Sequence, residues 1–336
     1  MESGKRMQPE EPIVAGACPV CDGHRRAVLA RGGRDDPALT TVVCCGCGMV
    51  SHHPLPDPAA VAAYYAREYR LAHKGAADPK PKHVLRALRG AVARARRLAP
   101  LLPPGARVLD IGASSGEFTH VMARGGFQAT GMEPNQGYAA FARRTYAAPI
   151  HEGGYEAAPE VPGGYHLITL NHVLEHLPDP AAALSRFHAL LAPEGLLFLE
   201  VPNLLGVQKR AATLFHTAHI WNFTPQTLAG LAARHGFTPL AGENLAETSV
   251  VFRRLPAPCP LPPDPALAAR LRRQVAEHQG TLAYILSGTA FRRRWHRLGR
   301  ALEEWRTLRQ HRCTTTLAQA LTAAALPGGS DRINKK

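Results

Sequence analysis

The chain has 336 residues, 45% of them hydrophobic, and a formal net charge of +14 from 40 Lys and Arg against 26 Asp and Glu. That length and apolar content suffice for one large core with appendages, which excludes a disordered chain. No apolar run approaches the ~18 residues of a membrane span, and Met1–Pro12 lacks the apolar stretch of a secretory signal, so a cytoplasmic protein is expected.

Residues 1–56 hold the first chemical signal. Cys18-Pro-Val-Cys21 and Cys44-Cys-Gly-Cys47 are two CxxC knuckles separated by β-patterned stretches at Ala27–Ala30 and Thr41–Val43. Two such pairs can present four thiolates tetrahedrally, the geometry of structural Zn²⁺. A zinc-ribbon-like module liganded by Cys18, Cys21, Cys44 and Cys47 is therefore expected. Disulfide pairing is the weaker alternative in a reducing compartment. Cys45 would demand a CxC register, and His24, His52 and His53 are reserve ligands, while Cys259 and Cys313 stand alone. A Pro-x-Pro linker leads into residues 57–104, a helical linker or lid with Tyr64, Tyr65 and Tyr69 and a basic block from Arg67 to Arg97. Tyr65 and Tyr69 either reach a ligand or pack the helix onto the core.

Residues 105–254 alternate apolar runs with helical patterns, as a parallel sheet requires. Val108-Leu-Asp-Ile111 runs into Gly112-Ala-Ser-Ser-Gly116, a strand ending in a glycine-bearing turn that opens a helix. Open α/β sheets bind nucleotide-like ligands at such turns. The phosphate fingerprint GxGxxG is absent, and Asp110 would repel a pyrophosphate and suit a ligand carrying positive charge. Phe127–Glu133 is a second strand, and its terminal carboxylate can accept hydrogen bonds from both ribose hydroxyls. No acid marks an adenine edge after Ile150, where His151–Gly154 is the nearest segment. Tyr165–Leu170 is a third strand, Ala181–Leu191 a helix and Gly195–Asn203 a fourth strand. His172, Glu175 and His176 follow the third strand, and His216 and His219 lie within Phe215–Phe223. Imidazole and carboxylate can act as bases near neutral pH. Alternatively, Glu175 braces its loop and His219 only orders the segment around Trp221.

A Pro-rich linker, 255–265, precedes a basic helical extension, 266–327, and a polar tail, 328–336, that is expected to be disordered. Two helical patterns are expected, Ala266–Leu286 and Thr289–Arg312. The second sets Arg292, Arg293, Arg294, Arg297, Arg300, Arg306 and Arg309 against Leu298, Leu302, Trp305 and Leu308. A basic amphipathic helix can lie on anionic lipid, grip nucleic acid or dock on its own core, and docking through Leu and Trp is the expectation.

Together these segments resemble the class I S-adenosylmethionine-dependent methyltransferases. Asp110, Gly112 and Gly116 match their first motif, an acid, any residue, Gly, three residues, Gly. Asn171-His-Val-Leu-Glu-His-Leu-Pro-Asp-Pro180 resembles the segment after their fourth strand, and Asn222-Phe-Thr-Pro-Gln-Thr-Leu228 with His235-Gly-Phe237 resembles a later helix and strand. The ribbon, the Pro-x-Pro linker and the Tyr-bearing helix are similar to bacterial methyltransferases of sugar, polysaccharide or natural-product pathways. The resemblance implies an α/β fold, a Rossmann-like seven-stranded methyltransferase sheet with an N-terminal zinc ribbon and a C-terminal helical extension. It implies S-adenosyl-L-methionine as cofactor, bound by Asp110, Gly112, Ala113, Ser114, Gly116, Glu133 and Asn171.

For the chemistry, the resemblance points to His219, His176 and Glu175. Zinc-domain sugar C-methyltransferases carry an H-E-H-x-x-x-F stretch whose last His is tied to proton abstraction. His219 matches it by its spacing to Phe223, with Ala218 in place of the Glu. Ubiquinone-pathway O-methyltransferases carry an E-x-x-E-H stretch associated with a divalent ion. Glu175 and His176 match it, and His172 replaces the first Glu, which leaves such a metal open. The expected activity is methyl transfer to a small-molecule, sugar or glycan/lipid-linked acceptor with His-assisted deprotonation. The alternative is an rRNA or tRNA methyltransferase that holds RNA with the ribbon and basic helices, although the N-P-P-Y string of base amino-methyltransferases is replaced by Asn171-His-Val-Leu. A peripheral membrane contact through the basic C-terminal helix stays open. A binding module that has lost catalysis is a third reading, opposed by the intact Asp110, Gly112, Gly116 and Glu133.

Overall fold

The computed structural model describes residues 13–68, 78–206, 214–277, 299, 303–310 and 314–323. The β-branched stretches flanking the cysteine knuckles pair as antiparallel strands β1 (Ile13–Val14), β2 (Arg25–Arg31), β3 (Thr40–Cys44) and β4 (Val50–His52). This sheet takes a fifth strand, β10 (Trp221–Asn222), from far down the chain, so residues 1–56 do not complete it alone.

The main sheet has seven strands. β5 (Arg107–Ile111), β6 (Gln128–Glu133), β7 (Ile150–Glu152), β8 (Tyr165–Asn171) and β9 (Leu191–Glu200) are parallel neighbours, and β11 (Phe237–Pro239) and β12 (Ser249–Arg254) complete it. The spatial order is β7-β6-β5-β8-β9-β12-β11, with β12 antiparallel to both its neighbours. Leu109, Leu167, Ile168, Leu197 and Phe198 are fully buried, because helices cover both faces of a parallel sheet. That double burial is why these strands read as unbroken apolar runs. The chain progresses outward from β5 in both directions, so a crevice opens beyond the carboxyl ends of β5 and β8.

The helices are α1 (Pro58–Ala63), α2 (Pro81–Leu98), α3 (Glu117–Arg124), α4 (Gln136–Tyr146), α5 (Pro180–Leu190), α6 (Pro225–Arg234), α7 (Pro265–Glu277) and α8 (Thr314–Ala323). Their starts follow local chemistry. Asp57, Asn135 and Asp179 cap α1, α4 and α5 by accepting a backbone N–H, and Thr224 and Thr227 form a reciprocal capping box on α6. α5 runs directly into β9, which begins at Leu191 rather than at Gly195 because Leu191 and Ala192 are buried and Leu191 pairs with Tyr165.

The basic block resolves into α2, whose buried stripe Val84, Leu85, Leu88, Ala91, Val92, Ala95 and Leu98 has helical spacing. Its arginines find acids. Arg94 grips Glu200 with two bonds of 2.8 and 3.0 Å, and Arg97 pairs with Glu243. Arg86 meets Glu304 at 2.6 and 2.8 Å. Helical residues 303–310 thus dock on α2, and Leu317 and Ala318 of α8 are buried against α2 and α4. Trp305 does not take part in this docking as expected. It is 53% exposed and stacks under the Arg309 guanidinium, because the buried Glu304 occupies the inward position. Tyr69, Arg292, Arg293, Arg294, Arg297, Leu298, Arg300, Leu302 and the tail from 328 lie outside the described residues. Among the described residues, no helix is long and apolar enough to cross a membrane.

Candidate active site

A cavity of about 740 Å³ lies beyond the carboxyl ends of β5, β6 and β8, within the range of small-molecule sites. Gly112 and Ser114 contribute to its wall from the turn after β5, and Met132, Glu133 and Pro134 from the end of β6. Asn171, His172, Val173, Glu175 and His176 follow β8, His219 arrives from the segment before β10, and Tyr65 comes from the helical turn after α1. Gly153, Gly154, Tyr155 and Glu156 add the wall after β7.

The turn after β5 is built from left-handed residues. Gly112 has φ +70° and Gly116 has φ +85°. A Cβ on Gly112 would stand 2.4 Å from Val173, and one on Gly116 would stand 2.6 Å from Ala142. Gly116 therefore seats α3 against α4 and is not part of the cavity wall, nor is Ala113, whose N–H donates to Met132 O at 2.8 Å. Ser114 N donates to Glu133 Oε2 at 2.7 Å, and Asn135 N donates to Oε1 at 2.9 Å. Two backbone amides thus fix the Glu133 carboxylate at the cavity.

Asp110 is placed differently from the expectation of a ligand-facing acid. It is 3% exposed and off the cavity wall. Oδ1 accepts from Thr169 Oγ1 (2.8 Å) and Asn171 Nδ2 (3.3 Å), and Oδ2 from Thr119 Oγ1 (3.4 Å). Burial pushes its pKa up to about 6 despite these donors. Thr169 and Thr119 sit on elements flanking β5, and no local sequence signal announces them. Through Asn171, Asp110 orients a residue that does line the cavity. Asn171 Oδ1 is itself buried with no hydrogen-bond partner among the described residues.

His172, Glu175 and Glu200 form a charged string. His172 has φ +56°, Nδ1 lies 3.5 Å from Glu175 Oε1, and Nε2 lies 3.3 Å from Glu200 Oε1. The flanking Glu175 and Glu200 carboxylates raise the His172 pKa to about 9. Burial works against the charge on Glu200, yet His172 and Arg94 hold its pKa down to about 2. Sequence reading gave Glu200 no role, although an acid closing an apolar strand, as Glu133 does, was the available signal.

Glu175 is 1% exposed, and among the described residues neither carboxylate oxygen has a hydrogen-bond partner. His176 Nε2 lies 3.8 Å from Glu175 Oε1. His176 Nδ1 meets Ala218 O and the Tyr65 hydroxyl (2.8 Å). A carbonyl only accepts, so Nδ1 carries a proton and, in the neutral ring, Nε2 is the basic atom. The His176 and His219 rings are 4.9 Å apart, and the His216 and His219 rings 3.9 Å. Glu175, His176 and His219 present ligand atoms within 4.8 Å of one another, a set that could hold a divalent cation without His172. The three residues read separately from sequence share one wall.

The cysteines form a second centre. Cys18, Cys21, Cys44 and Cys47 place their sulfurs within 4.8 Å of one another, with Cys18–Cys47 and Cys21–Cys44 at 3.6 Å. A tetrahedral zinc with ~2.3 Å bonds sets sulfurs about 3.8 Å apart, so the donor set fits that ion. The neighbouring Cys18 and Cys47 lower the Cys44 pKa, and the Cys18 thiol is pushed up to about 12. Cys45 is outside the cluster, and His24 instead bonds Ala15 O at 3.1 Å.

Residues 82–241 match the family described as a methyltransferase domain. The ubiquinone biosynthesis O-methyltransferase of Xanthomonas campestris pv. campestris is 35% identical over 130 residues, 37% of this chain and 53% of that protein. The protein of the same name from Pseudomonas aeruginosa is 33% identical over 105 residues, 30% of this chain and 45% of that one. The chain thus spans about half the length of the curated relatives it matches. Among solved structures, the 1,6-didemethyltoxoflavin-N1-methyltransferase of Burkholderia thailandensis matches with a TM-score of 0.44 and 22% identity, over 62% of this chain and 96% of that chain. The chain carries a class I S-adenosylmethionine-dependent methyltransferase domain. Residues 82–241, which match the methyltransferase-domain family, supply all of β5 to β9 and so the floor of the cavity.

Proposed function

We propose that the chain transfers a methyl group from S-adenosylmethionine to a hydroxyl of a small molecule, with His176 as the base. The convergence of Glu175, His176 and His219 on the cavity that the β5 turn also lines carries this reading. S-adenosylmethionine supplies a sulfonium methyl, which needs a nucleophile in line more than it needs activation. The Glu133 carboxylate, held at the cavity by the Ser114 and Asn135 amides, is the acceptor for the ribose hydroxyls. Gly112 and Ser114 give close backbone approach, and Gly153 and Gly154 border the base. Asn171 Oδ1 and the Glu175 carboxylate offer acceptors to the positive end of the ligand. Asp110, Ala113 and Gly116 support this surface from behind.

His176 Nε2 takes the acceptor proton, and the buried Glu175 beside it stabilises the imidazolium that forms. His219 orients the acceptor hydroxyl. Val61, Ala62, Leu177 and Pro178 form an apolar wall that excludes water. The described lining residues include no Lys or Arg to meet phosphate, which favours a neutral acceptor over a nucleotide-sugar, a lipid-linked phosphate or RNA. The O-methyltransferase names of the curated relatives support oxygen as the accepting atom. Cys18, Cys21, Cys44 and Cys47 hold a structural zinc ion. The test is transfer of labelled methyl to a panel of neutral phenols and sugars. The expected result is a methylated hydroxyl compound, with His176→Gln lowering kcat by about 100-fold or more while S-adenosylhomocysteine affinity holds. Normal turnover by His176→Gln would remove His176 as base.

A further inference from the structure

The segment that brings His219 to the cavity is gripped by the cysteine ribbon. β10 pairs antiparallel with β4, Trp221 opposite Ser51 and Asn222 opposite Val50. His52 N donates to Ile220 O at 3.0 Å, and Arg34 N donates to Phe215 O at 2.9 Å. Asp35, on the loop between β2 and β3, accepts from Thr217 N (3.0 Å) and Thr217 Oγ1 (2.9 Å). Those bonds hold the tight turn in which His219 N donates to His216 O at 3.0 Å. Phe215 is fully buried among Leu29, Val43 and Val50 of the ribbon and Leu267 and Leu271 of α7.

The same strands carry the thiols. Cys44 ends β3, and the knuckle to Cys47 sets the register of β4 through Cys44 N to Met49 O (2.8 Å) and Gly48 N to Cys44 O (2.9 Å). The gripped segment delivers the His219 ring to the cavity and the Ala218 carbonyl to His176, whose proton it fixes on Nδ1.

We propose that the four-cysteine ribbon is the positioning element of the methyl-transfer site. Drawing its thiolates onto one metal ion fixes β4 and the Asp35 loop, and these hold residues 214–222 so that His219 and the His176 tautomer are set. Asp35 is the positioning residue of this linkage. The inference rests on His176 and His219 serving the transfer reaction, but the linkage itself is mechanical and can be read without an acceptor.

The experiment compares full-length protein containing zinc with protein stripped by a mercurial thiol reagent and chelator, and with Cys21→Ser, Asp35→Ala and Asp35→Asn. Hydrogen exchange is read on peptides covering 214–223 and 107–111, and S-adenosylhomocysteine binding by calorimetry. Stripping and Cys21→Ser are expected to speed exchange in 214–223 by about tenfold or more, leaving 107–111 protected and affinity within about threefold. Asp35→Ala should speed the same peptide with the metal retained, and Asp35→Asn, which keeps one acceptor oxygen, should fall between. Unchanged exchange in 214–223 after stripping would overturn the linkage. Equal loss of protection in 107–111 would overturn it too, since the metal would then hold up the whole fold. Failure of zinc-containing protein to bind S-adenosylhomocysteine would instead overturn the methyl-transfer reading, with the exchange comparison still deciding the mechanical linkage.

Discussion

Asp110→Asn is the substitution that separates a ligand-contacting acid from a buried structural one. Asp110 is 3% exposed, and burial raises its pKa from 3.8 to about 6. A group with a raised folded-state pKa favours folding below its unfolded value and loses that contribution as pH rises through the folded value. The shift of about 2 units corresponds to about 3 kcal/mol, lost as pH rises from about 4 through about 6. Asn removes the titration. It keeps an oxygen for Thr169 and Asn171, and the Thr119 hydroxyl can turn to accept. Denaturant unfolding across this pH range should show wild type losing stability relative to the variant by up to about 3 kcal/mol toward high pH. S-adenosylhomocysteine affinity should fall by less than about tenfold, because the carboxylate acts only through Asn171. A variant with no pH-dependent difference from wild type would refute the burial argument. A loss of affinity of about 100-fold or more with a sound fold would mean that the carboxylate touches the ligand.

Two further outcomes follow from the site. The His172 pKa is raised from 6.5 to about 9 by Glu175 and Glu200, so its contribution is full below pH 6.5 and lost as pH rises through about 9. Melting temperature should fall across that window in wild type, and His172→Gln should flatten the fall. An equal slope in both would place the effect elsewhere. Gly112→Ala should destabilise the fold by about 1–3 kcal/mol and abolish ligand binding, since its Cβ meets Val173 at 2.4 Å in a left-handed residue. Calorimetry with thermal melting reads both effects, and wild-type affinity in this variant would contradict the tight packing of that turn.

The sheet was legible in the sequence because doubly buried strands leave long apolar runs, and β5, β6 and β8 fall where those runs do. Glu133 was legible because an acid closing such a run has few places to go except the strand end. The cysteine cluster was legible because two CxxC turns bring their sulfurs together locally. Long-range features left less trace. Nothing near Asp110 shows that Thr119 and Thr169 will enclose it, and the 106 positions separating Arg94 from Glu200 hide their pairing. β10 is only two residues long, so its place in the ribbon sheet rests on tertiary pairing. His176 and His219 appear as rivals in sequence because 43 positions separate them, yet their rings meet 4.9 Å apart. Trp305 lies outside the docking face because the next residue, Glu304, reaches back to Arg86.

Glu133 is proposed to hold S-adenosylmethionine in the cavity beyond β5 and β6. Calorimetric titration of zinc-containing protein with S-adenosylhomocysteine, beside Glu133→Gln checked for an unchanged melting temperature, tests it most directly. One site of roughly micromolar affinity is expected, weakened by about tenfold or more in the variant, since an amide nitrogen cannot accept the second ribose hydroxyl. Absence of binding by the folded wild type, or equal binding by both proteins, would contradict it.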